Sequence, residues 1–221
     1  MGRLVVIEGL DGAGKRTLGD GLTRALEHRG ATVTRLAFPR YGENVHADLV
    51  RDALHGQLGD LAHSVHGMAV LFALDRRDAA QRIRSDLVRH DVVLVDRYVA
   101  SNAAYGAARL HQGARGEFVS WLTELEVERF GLPVPDLQLL LRVPPELAAA
   151  RAEHRERTES DRQRDTFEVD GGLQRRCALV YEELAATGWL APWIVVDGAI
   201  TADVGALAGT VLAGHAPAAH E

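Results

Sequence analysis

Five short runs of apolar residues divide the chain, and segments with a helical pattern separate them. The runs cover residues 4–7, 33–38, 92–95, 137–143 and 193–196. Short, largely apolar runs of this length are typical of strands buried on both faces of a parallel sheet. Their alternation with helices predicts an α/β fold, a five-stranded, doubly wound parallel sheet flanked by helices.

Helical periodicity is clearest directly after the first run. Leu18, Leu22, Ala25 and Leu26 recur at i, i+4, i+7 and i+8, which predicts one apolar face of an amphipathic helix. Residues 61–89 also have a helical period. No internal repeat interrupts this order of elements.

The length of 221 residues suits one domain with a single core. We expect one domain over residues 1–213 and a flexible tail over residues 214–221. The net charge of −6 gives no reason to expect a nucleic-acid partner, which would favour a basic face.

The single cysteine, Cys177, has no partner for an internal disulfide and indicates a reducing compartment. Its helical spacing from Leu173 and Val180 predicts a buried core thiol. No signal-peptide pattern precedes Leu4, and no apolar run is long enough to span a membrane. We therefore expect a cytoplasmic protein with no membrane partner.

The chain contains one lysine and 24 arginines, and the lysine stands in a glycine-rich turn. The turn follows the first predicted strand and reads Gly9-Leu10-Asp11-Gly12-Ala13-Gly14-Lys15-Arg16-Thr17. A strand, G-x-x-x-x-G-K and a helix are the elements of a phosphate-binding loop, whose backbone N–H groups and lysine hold phosphates. An accidental lysine in an ordinary turn is the alternative, and the strand and helix on either side argue against it.

One position departs from the general motif of this loop. Arg16 follows Lys15, where Ser or Thr usually contacts Mg²⁺, and Thr17 comes one place later. Arg16 therefore places an additional cation beside the phosphates, and the sequence leaves open how the magnesium ion is held.

A second loop with polar residues follows the run at residues 92–95. Asp96, Arg97 and Tyr98 stand at the end of this predicted strand, where ligands bind in open α/β sheets. A regulatory GTPase would also carry Asn-Lys-x-Asp, which a chain with only Lys15 does not contain. A nucleotide-dependent switch or motor subunit is therefore the less favoured alternative.

Residues 151–168 form an arginine-rich segment with few apolar side chains. A solvated helix face is the usual meaning of such a mixed charge run. Beside a phosphate-binding loop we favour a second interpretation, a lid that brings arginines to the transferred phosphate.

These motifs together resemble the thymidylate kinase family, in its mycobacterial and actinobacterial form, over nearly the whole chain. The resemblance rests on the arginine-rich segment and on five blocks: Glu8 to Lys15, Phe38-Pro39-Arg40-Tyr41, Phe72 to Arg76, Asp96 to Tyr105, and Pro133-x-Pro135-Asp136. It implies transfer of the γ-phosphate of ATP to dTMP with Mg²⁺, on a nucleoside monophosphate kinase fold, in a homodimer.

The resemblance also implies roles for individual residues. It assigns the ATP phosphates to the loop of Gly12, Ala13, Gly14, Lys15, Arg16 and Thr17. It assigns catalysis to Asp11, Lys15, Arg97, Arg155, Arg157 and Arg162, and the metal to Asp11 and Glu168. It assigns substrate binding to Phe38, Arg40, Tyr41, Phe72, Arg76, Arg97, Ser101, Asn102, Tyr105, Asp165 and Phe167, with Phe72 stacking on thymine and Arg76 and Asn102 reading the base edge.

Two positions differ from the form of the family that the chain resembles. That form has a tyrosine beside the deoxyribose where this chain has Phe167. Ala13 offers no cation from within the phosphate-binding loop, so the arginine-rich segment would have to supply it. Another nucleoside or nucleotide kinase of the same fold stays the main alternative, and Arg97 and Arg40 favour an acceptor that carries a phosphate.

Overall fold

The five predicted strands form one parallel sheet in the computed structural model, which describes residues 1–158, 167, 170–200 and 202–214. The strands lie in the order β2-β3-β1-β4-β5. Their bounds are β1 Arg3–Glu8, β2 Val33–Ala37, β3 Val92–Asp96, β4 Leu137–Arg142 and β5 Trp193–Asp197. The predicted fold class is therefore confirmed.

Helices connect these strands and cover the sheet. They are α1 Lys15–His28, α2 Val45–Leu54, α3 Val65–Arg89, α4 Val99–Arg109, α5 Glu117–Thr123, α6 Pro145–Thr158, α7 Gly171–Thr187 and α8 Val204–Ala213. A short 3₁₀ helix, Leu61–His63, precedes α3, and a π-helix, Glu124–Arg129, continues α5. The helical period over residues 61–89 thus belongs to the 3₁₀ helix and α3.

The core lies against the central strand β1 and its neighbour β3. Leu4, Val5 and Val6 of β1 have no exposed surface, nor do Val92 and Val93 of β3. Backbone pairing is continuous from Arg3 opposite Val92 to Ile7 opposite Asp96. Cys177, on α7, is buried as predicted.

Strand order locates the cleft. From β1 the chain runs to β2 and β3 on one side of the sheet, and then crosses to β4 and β5 on the other side. Ligands of open α/β sheets bind at the carboxyl ends of strands where the order reverses in this way, and β1 lies at that point. The glycine-rich turn leaves β1 there.

Gly12 is required by a close approach of α6. A Cβ at this position would lie 2.0 Å from the Ala148 carbonyl oxygen of α6, and the backbone has φ +82°. Only glycine adopts this conformation beside so near a neighbour without strain. The phosphate-binding turn and the helix that begins the arginine-rich segment are therefore in direct contact.

Among the described residues, no helix has the length and apolar character needed to cross a membrane. The predicted tail at residues 214–221 lies outside the described residues, apart from Gly214.

Candidate active site

A cleft of about 1580 Å³ opens at the carboxyl ends of β1 and β3. Most of the predicted site residues line it: Asp11, Gly12, Ala13, Gly14, Lys15, Arg16, Thr17, Phe38, Tyr41, Phe72, Arg76, Arg97, Ser101, Asn102, Tyr105 and Phe167. Arg40 and Arg157 are not among its lining residues. Arg162, Asp165, Glu168 and the side chain of Arg155 lie outside the described residues.

The ammonium group of Lys15 lies against its own loop. Lys15 Nζ donates to the carbonyl oxygens of Leu10 at 2.8 Å and Gly9 at 3.1 Å, and only 8% of the residue is exposed. Burial, with the nearby charge of Arg97, lowers the pKa of Lys15 to about 8. The loop thus holds a lysine that gives up its proton unusually readily.

The start of α1 is open to an anion. Gly14 is its N-cap, with φ 100°, and no side chain caps the helix. The first backbone N–H groups of a helix have no partners within the helix and carry its positive dipole end. Together with Lys15 and Arg16 they form a site for phosphate oxygens.

Asp11, from the same loop, is held by two partners on the opposite side of the cleft. Its Oδ1 accepts from Arg97 Nη2, and its Oδ2 accepts from the Tyr105 hydroxyl at 2.7 Å. Burial by itself raises the pKa of Asp11, but the charges of Arg97 and Lys15 outweigh it and lower the pKa below its ordinary value. Asp11 is therefore an anion that holds Arg97 over the loop.

Behind Arg97 lies a buried polar network. Arg97 Nη1 donates to Ser101 Oγ at 3.0 Å, and Ser101 Oγ donates to Glu8 Oε2 at 2.6 Å. The hydroxyl of Tyr181, on α7, lies 2.9 Å from Ser101 Oγ and 3.1 Å from Glu8 Oε2. Burial raises the pKa of Glu8, and its hydrogen-bond donors offset part of that effect.

The other end of the cleft contains another arginine paired with a carboxylate, and here both side chains are buried. Arg76 donates through Nε and Nη2 to the two oxygens of Glu126, both at 2.6 Å. Asn102 Nδ2 donates to Glu126 Oε1 at 2.9 Å and to the Ala69 carbonyl oxygen at 3.0 Å. Glu126 lies in the π-helix, an irregularity often found at functional sites. This carboxylate fixes both polar side chains that the resemblance assigns to the base.

Arg40 is turned to α3. Its Nε donates to Asp75 Oδ1 at 2.7 Å, and its Nη2 donates to Asp78 Oδ2 at 2.8 Å. The backbone N–H of Arg40 also donates to Asp75 Oδ2 at 3.0 Å. Arg40 thus anchors the loop that places Phe38 and Tyr41 in the cleft wall, and its charge is matched by two carboxylates.

Residues 151–158 of the arginine-rich segment belong to α6. Arg157 pairs with Glu153 at 2.6 Å and its side chain is 70% exposed, as expected of a solvated helix face. Arg151 instead lines the cleft, where Nη1 donates to the Gly198 carbonyl oxygen at 3.1 Å and lies 3.4 Å from that of Ala13. Arg151, which the structure brings to the loop, is therefore an arginine of this segment that sequence reasoning did not select.

Asp96, at the end of β3, has a carboxylate oxygen without a hydrogen-bond donor in the described part of the chain. Its Oδ1 is buried and has no hydrogen-bond partner among the described residues. The described ranges also contain no cluster of three or more His, Cys, Asp or Glu residues able to hold a metal ion. An oxygen of this kind suits a cation that takes most of its ligands from water and substrate, as Mg²⁺ does.

The sequence model of the thymidylate kinase family matches residues 7–191. The thymidylate kinase of Mycobacterium tuberculosis is 51% identical over 208 residues, which cover 94% of this chain and 96% of that protein. The chain belongs to the thymidylate kinase family. More distant relatives are the thymidylate kinases of Xanthomonas oryzae pv. oryzae, 36% identical over 91% of this chain and 78% of that protein, and Danio rerio, 29% identical over 90% and 84%.

Membership of the thymidylate kinase family confirms the resemblance stated from the motifs, the fold class and the assignment of the chain to the kinases. It also confirms the predicted activity, phosphorylation of dTMP to dTDP, over the switch-protein alternative. The matched region contains both ends of the cleft and the buried network behind Arg97.

Sequence reasoning missed several residues that hold this thymidylate kinase site together. Glu126 and Tyr181 lie in no motif, and nothing in the pattern of either helix marks them. Asp75 stands inside a quoted motif, but its pairing with Arg40 joins residues that are 35 positions apart. Asp96 was recognised as the acid that ends a strand, and its unpartnered oxygen became visible only in three dimensions.

Proposed function

We propose that the chain transfers the γ-phosphate of ATP to dTMP with Lys15 and Arg97 stabilising the transferred group. The observation that carries this assignment is the position of Arg97. Its guanidinium contacts Asp11 of the phosphate-binding loop and Ser101 of α4, so it lies between the donor and acceptor sides of one cleft. A cation there can contact the phosphates of both substrates.

In the proposed reaction an oxygen of the dTMP phosphate attacks the γ-phosphorus of ATP. A new oxygen–phosphorus bond forms, the bond to the β–γ bridging oxygen breaks, and ADP leaves with that electron pair. Such transfers need positioning and positive charge on the phosphoryl oxygens more than they need covalent chemistry from the protein. Lys15, the open start of α1 and Arg97 supply both.

The acceptor base belongs at the opposite end of the cleft in this proposal. Phe72 offers a half-buried ring for stacking, and Arg76 and Asn102 are held in place by Glu126. A planar guanidinium fixed by two hydrogen bonds cannot move away from its carboxylate without breaking both. It therefore presents its remaining donors in one orientation, which favours one pattern of acceptors on the base.

Mg²⁺ fits the residues at the carboxyl end of β3. The unpartnered Oδ1 of Asp96 would bind the ion directly or through one of its waters, beside the predicted ligand Asp11. The predicted ligand Glu168 lies outside the described residues. The ion supplies charge that neutralises the phosphate oxygens. The residues of the chain orient the two substrates around it.

Arginines of the arginine-rich segment would complete the charge around the transferred group. The contacts of Arg151 with the Ala13 and Gly198 carbonyl oxygens support a role for this residue, in addition to the predicted Arg155, Arg157 and Arg162. The homodimer, the cytoplasmic location, the single domain over residues 1–213 and the flexible tail stay predictions, and light scattering tests the first of them.

An ADP-release assay over a panel of nucleoside monophosphates and nucleosides tests the proposed function. We expect dTMP to give the highest kcat/KM, with ATP as donor and Mg²⁺ present. A higher kcat/KM for thymidine would favour a nucleoside kinase, and a higher value for another monophosphate would reject the assignment of Arg76 and Asn102 to thymine.

A further inference from the structure

Tyr181 lies behind the site and is not part of the cleft wall. Its side chain, on α7, is 1% exposed, and the reaction as proposed gives it no role. Its hydroxyl lies 2.9 Å from Ser101 Oγ and 3.1 Å from Glu8 Oε2. It therefore reaches Arg97 through one intervening hydroxyl group.

The donors around Glu8 decide where the protons of this network lie. Glu8 is fully buried, and its Oε1 accepts from the backbone N–H groups of Tyr98 at 2.8 Å and Ser101 at 3.2 Å. Its Oε2 accepts from Ser101 Oγ at 2.6 Å and from the Tyr181 hydroxyl. Four donors are thus directed at its two oxygens, so Glu8 acts as an acceptor on every side and the single proton of the Ser101 hydroxyl is committed to Glu8.

That commitment leaves Ser101 Oγ as an acceptor toward Arg97. The guanidinium only donates, and its Nη1 lies 3.0 Å from Ser101 Oγ while its Nη2 bonds to Asp11. The Tyr181 hydroxyl adds a proton that Glu8 and Ser101 share. Removal of the Tyr181 hydroxyl takes one hydrogen-bond donor from the buried Glu8 carboxylate and one partner from the Ser101 hydroxyl.

We infer that Tyr181 is a positioning residue for phosphoryl transfer, which acts with Glu8 to hold the Ser101 hydroxyl as an acceptor and thereby fixes the guanidinium of Arg97. The inference rests on the proposed role of Arg97. It joins α7, the helix that follows the arginine-rich segment, to the cation between the two substrates. Gln174 of the same helix bonds the Phe167 carbonyl oxygen at 2.9 Å, so α7 contacts the cleft wall as well.

A purely structural role for Tyr181 would be that of a core ring. The ring and the hydroxyl are separated by Tyr181→Phe, which keeps the packing and removes the two polar contacts. Tyr98→Phe is a matched control, because Tyr98 has no exposed surface and its hydroxyl bonds the distant Pro133 carbonyl oxygen at 3.1 Å. Both variants lose one buried hydroxyl, but only Tyr181→Phe loses a hydroxyl that contacts Ser101 and Glu8, because Tyr98→Phe keeps the backbone N–H that bonds Glu8.

Steady-state kinetics and thermal unfolding of the full chain provide the test. We expect Tyr181→Phe to lower kcat about tenfold, the effect of one hydrogen bond expressed in the transition state, with KM for ATP and dTMP within about twofold. We expect Tyr98→Phe to keep kcat within about twofold at a similar loss of Tm. Unchanged kcat in Tyr181→Phe, or an equal loss of kcat in both variants, would overturn the inference.

A double-mutant cycle with Ser101→Ala measures the coupling of Tyr181 and Ser101 in kcat, which a role in packing alone would not produce. If Tyr181 acts through Ser101, the double variant should be no slower than about the slower single variant, and additive losses would overturn the inference. Arg97→Met distinguishes a failure of the proposed role of Arg97 from a failure of the role of Tyr181. Full activity of that variant would reject the proposed role of Arg97, whereas a slow Arg97→Met beside a normal Tyr181→Phe would reject only the role of Tyr181.

Discussion

The two ends of the cleft each contain an arginine paired with a carboxylate, but the two arginines are held differently. Arg76 is bound to Glu126 by two hydrogen bonds, and the side chains are only 3% and 0% exposed. Arg97 makes a single bond to Asp11, and these side chains are 15% and 22% exposed. A base-reading group can stay fixed throughout the reaction, whereas a phosphate-binding group must exchange its partner. The structure gives each arginine the attachment that its proposed task requires.

The largest effect is expected from a substitution of Arg97, at the end of the cleft that binds the phosphates (the phosphate end). Arg97→Met keeps the apolar stem but removes the charge, and we expect kcat to fall by about 10³, the scale set by single arginines in phosphoryl transfer. Single-turnover kinetics at saturating ATP and dTMP would measure it. Arg82→Met, at a half-exposed arginine of α3, is the control and should keep kcat. Weaker dTMP binding with an unchanged kcat would mean that Arg97 binds the substrate but does not stabilise the transition state.

The next largest effect is expected from a substitution of Glu126, at the end of the cleft proposed to bind the base (the base end). Glu126→Gln leaves the buried Arg76 without its counter-charge, which should cost about 3 kcal/mol in the free energy of unfolding. Glu124→Gln is matched to it, because Glu124 lies in the same π-helix but pairs with an exposed Arg129, and it should cost about 0.5 kcal/mol or less. Urea unfolding compares the two. Equal costs would show that the two hydrogen bonds on Arg76 add little to the fold.

A pH profile sharpens the comparison, because the phosphate end holds Lys15. Burial lowers its pKa to about 8, so the free protein loses this positive charge as the pH rises through 8. We expect kcat/KM for ATP to fall about tenfold per pH unit above that point. Bound phosphates favour the charged ammonium, so kcat should persist to higher pH. A flat kcat/KM for ATP from pH 7 to 9 would contradict the lowered pKa.

The smallest expected effect concerns the wall between the two ends. Phe167 is buried, its ring centroid lies 6.4 Å from that of Tyr105, and Arg109 lies over it at 4.5 Å. An apolar wall rejects an added hydroxyl by a factor of about 10² at most. Phe167→Tyr should therefore raise the ratio of kcat/KM for dTMP over its ribo counterpart a few-fold. An unchanged ratio would assign sugar selection to other residues, first of all Tyr105 or Asp11.

The sequence predicted well whatever is local in the chain. Apolar runs placed all five strands, and a glycine pattern with one lysine placed the loop, because backbone geometry and phosphate contacts depend on neighbouring residues. Strand ends were less accurate: the run at residues 33–38 ends as a strand at Ala37, and the run at residues 137–143 ends at Arg142. In both cases a proline follows closely, and proline cannot continue the ladder of hydrogen bonds.

Pairings across the fold could not be predicted in this way. The sequence predicts that Arg40 is a cation that binds a phosphate. In the structure it is paired with Asp75 and Asp78, two carboxylates of α3. Arg76 and Glu126 are 50 positions apart, and Tyr181 is 80 positions from Ser101. Such partners come together only when strands and helices pack, so a sequence pattern names the reactive groups but not the groups that hold them.

The position of Lys15 has a consequence for chemical modification of this protein. Because the chain has no other lysine, amine-directed labelling has two targets, this side chain and the terminal amine. A reagent that acylates the side chain removes the ammonium group from the carbonyl oxygens of Gly9 and Leu10 and blocks the loop in one event. The extent of acylation at the Lys15 side chain, measured separately from that at the terminal amine, is therefore a direct count of inactivated molecules, and bound ATP should protect against it.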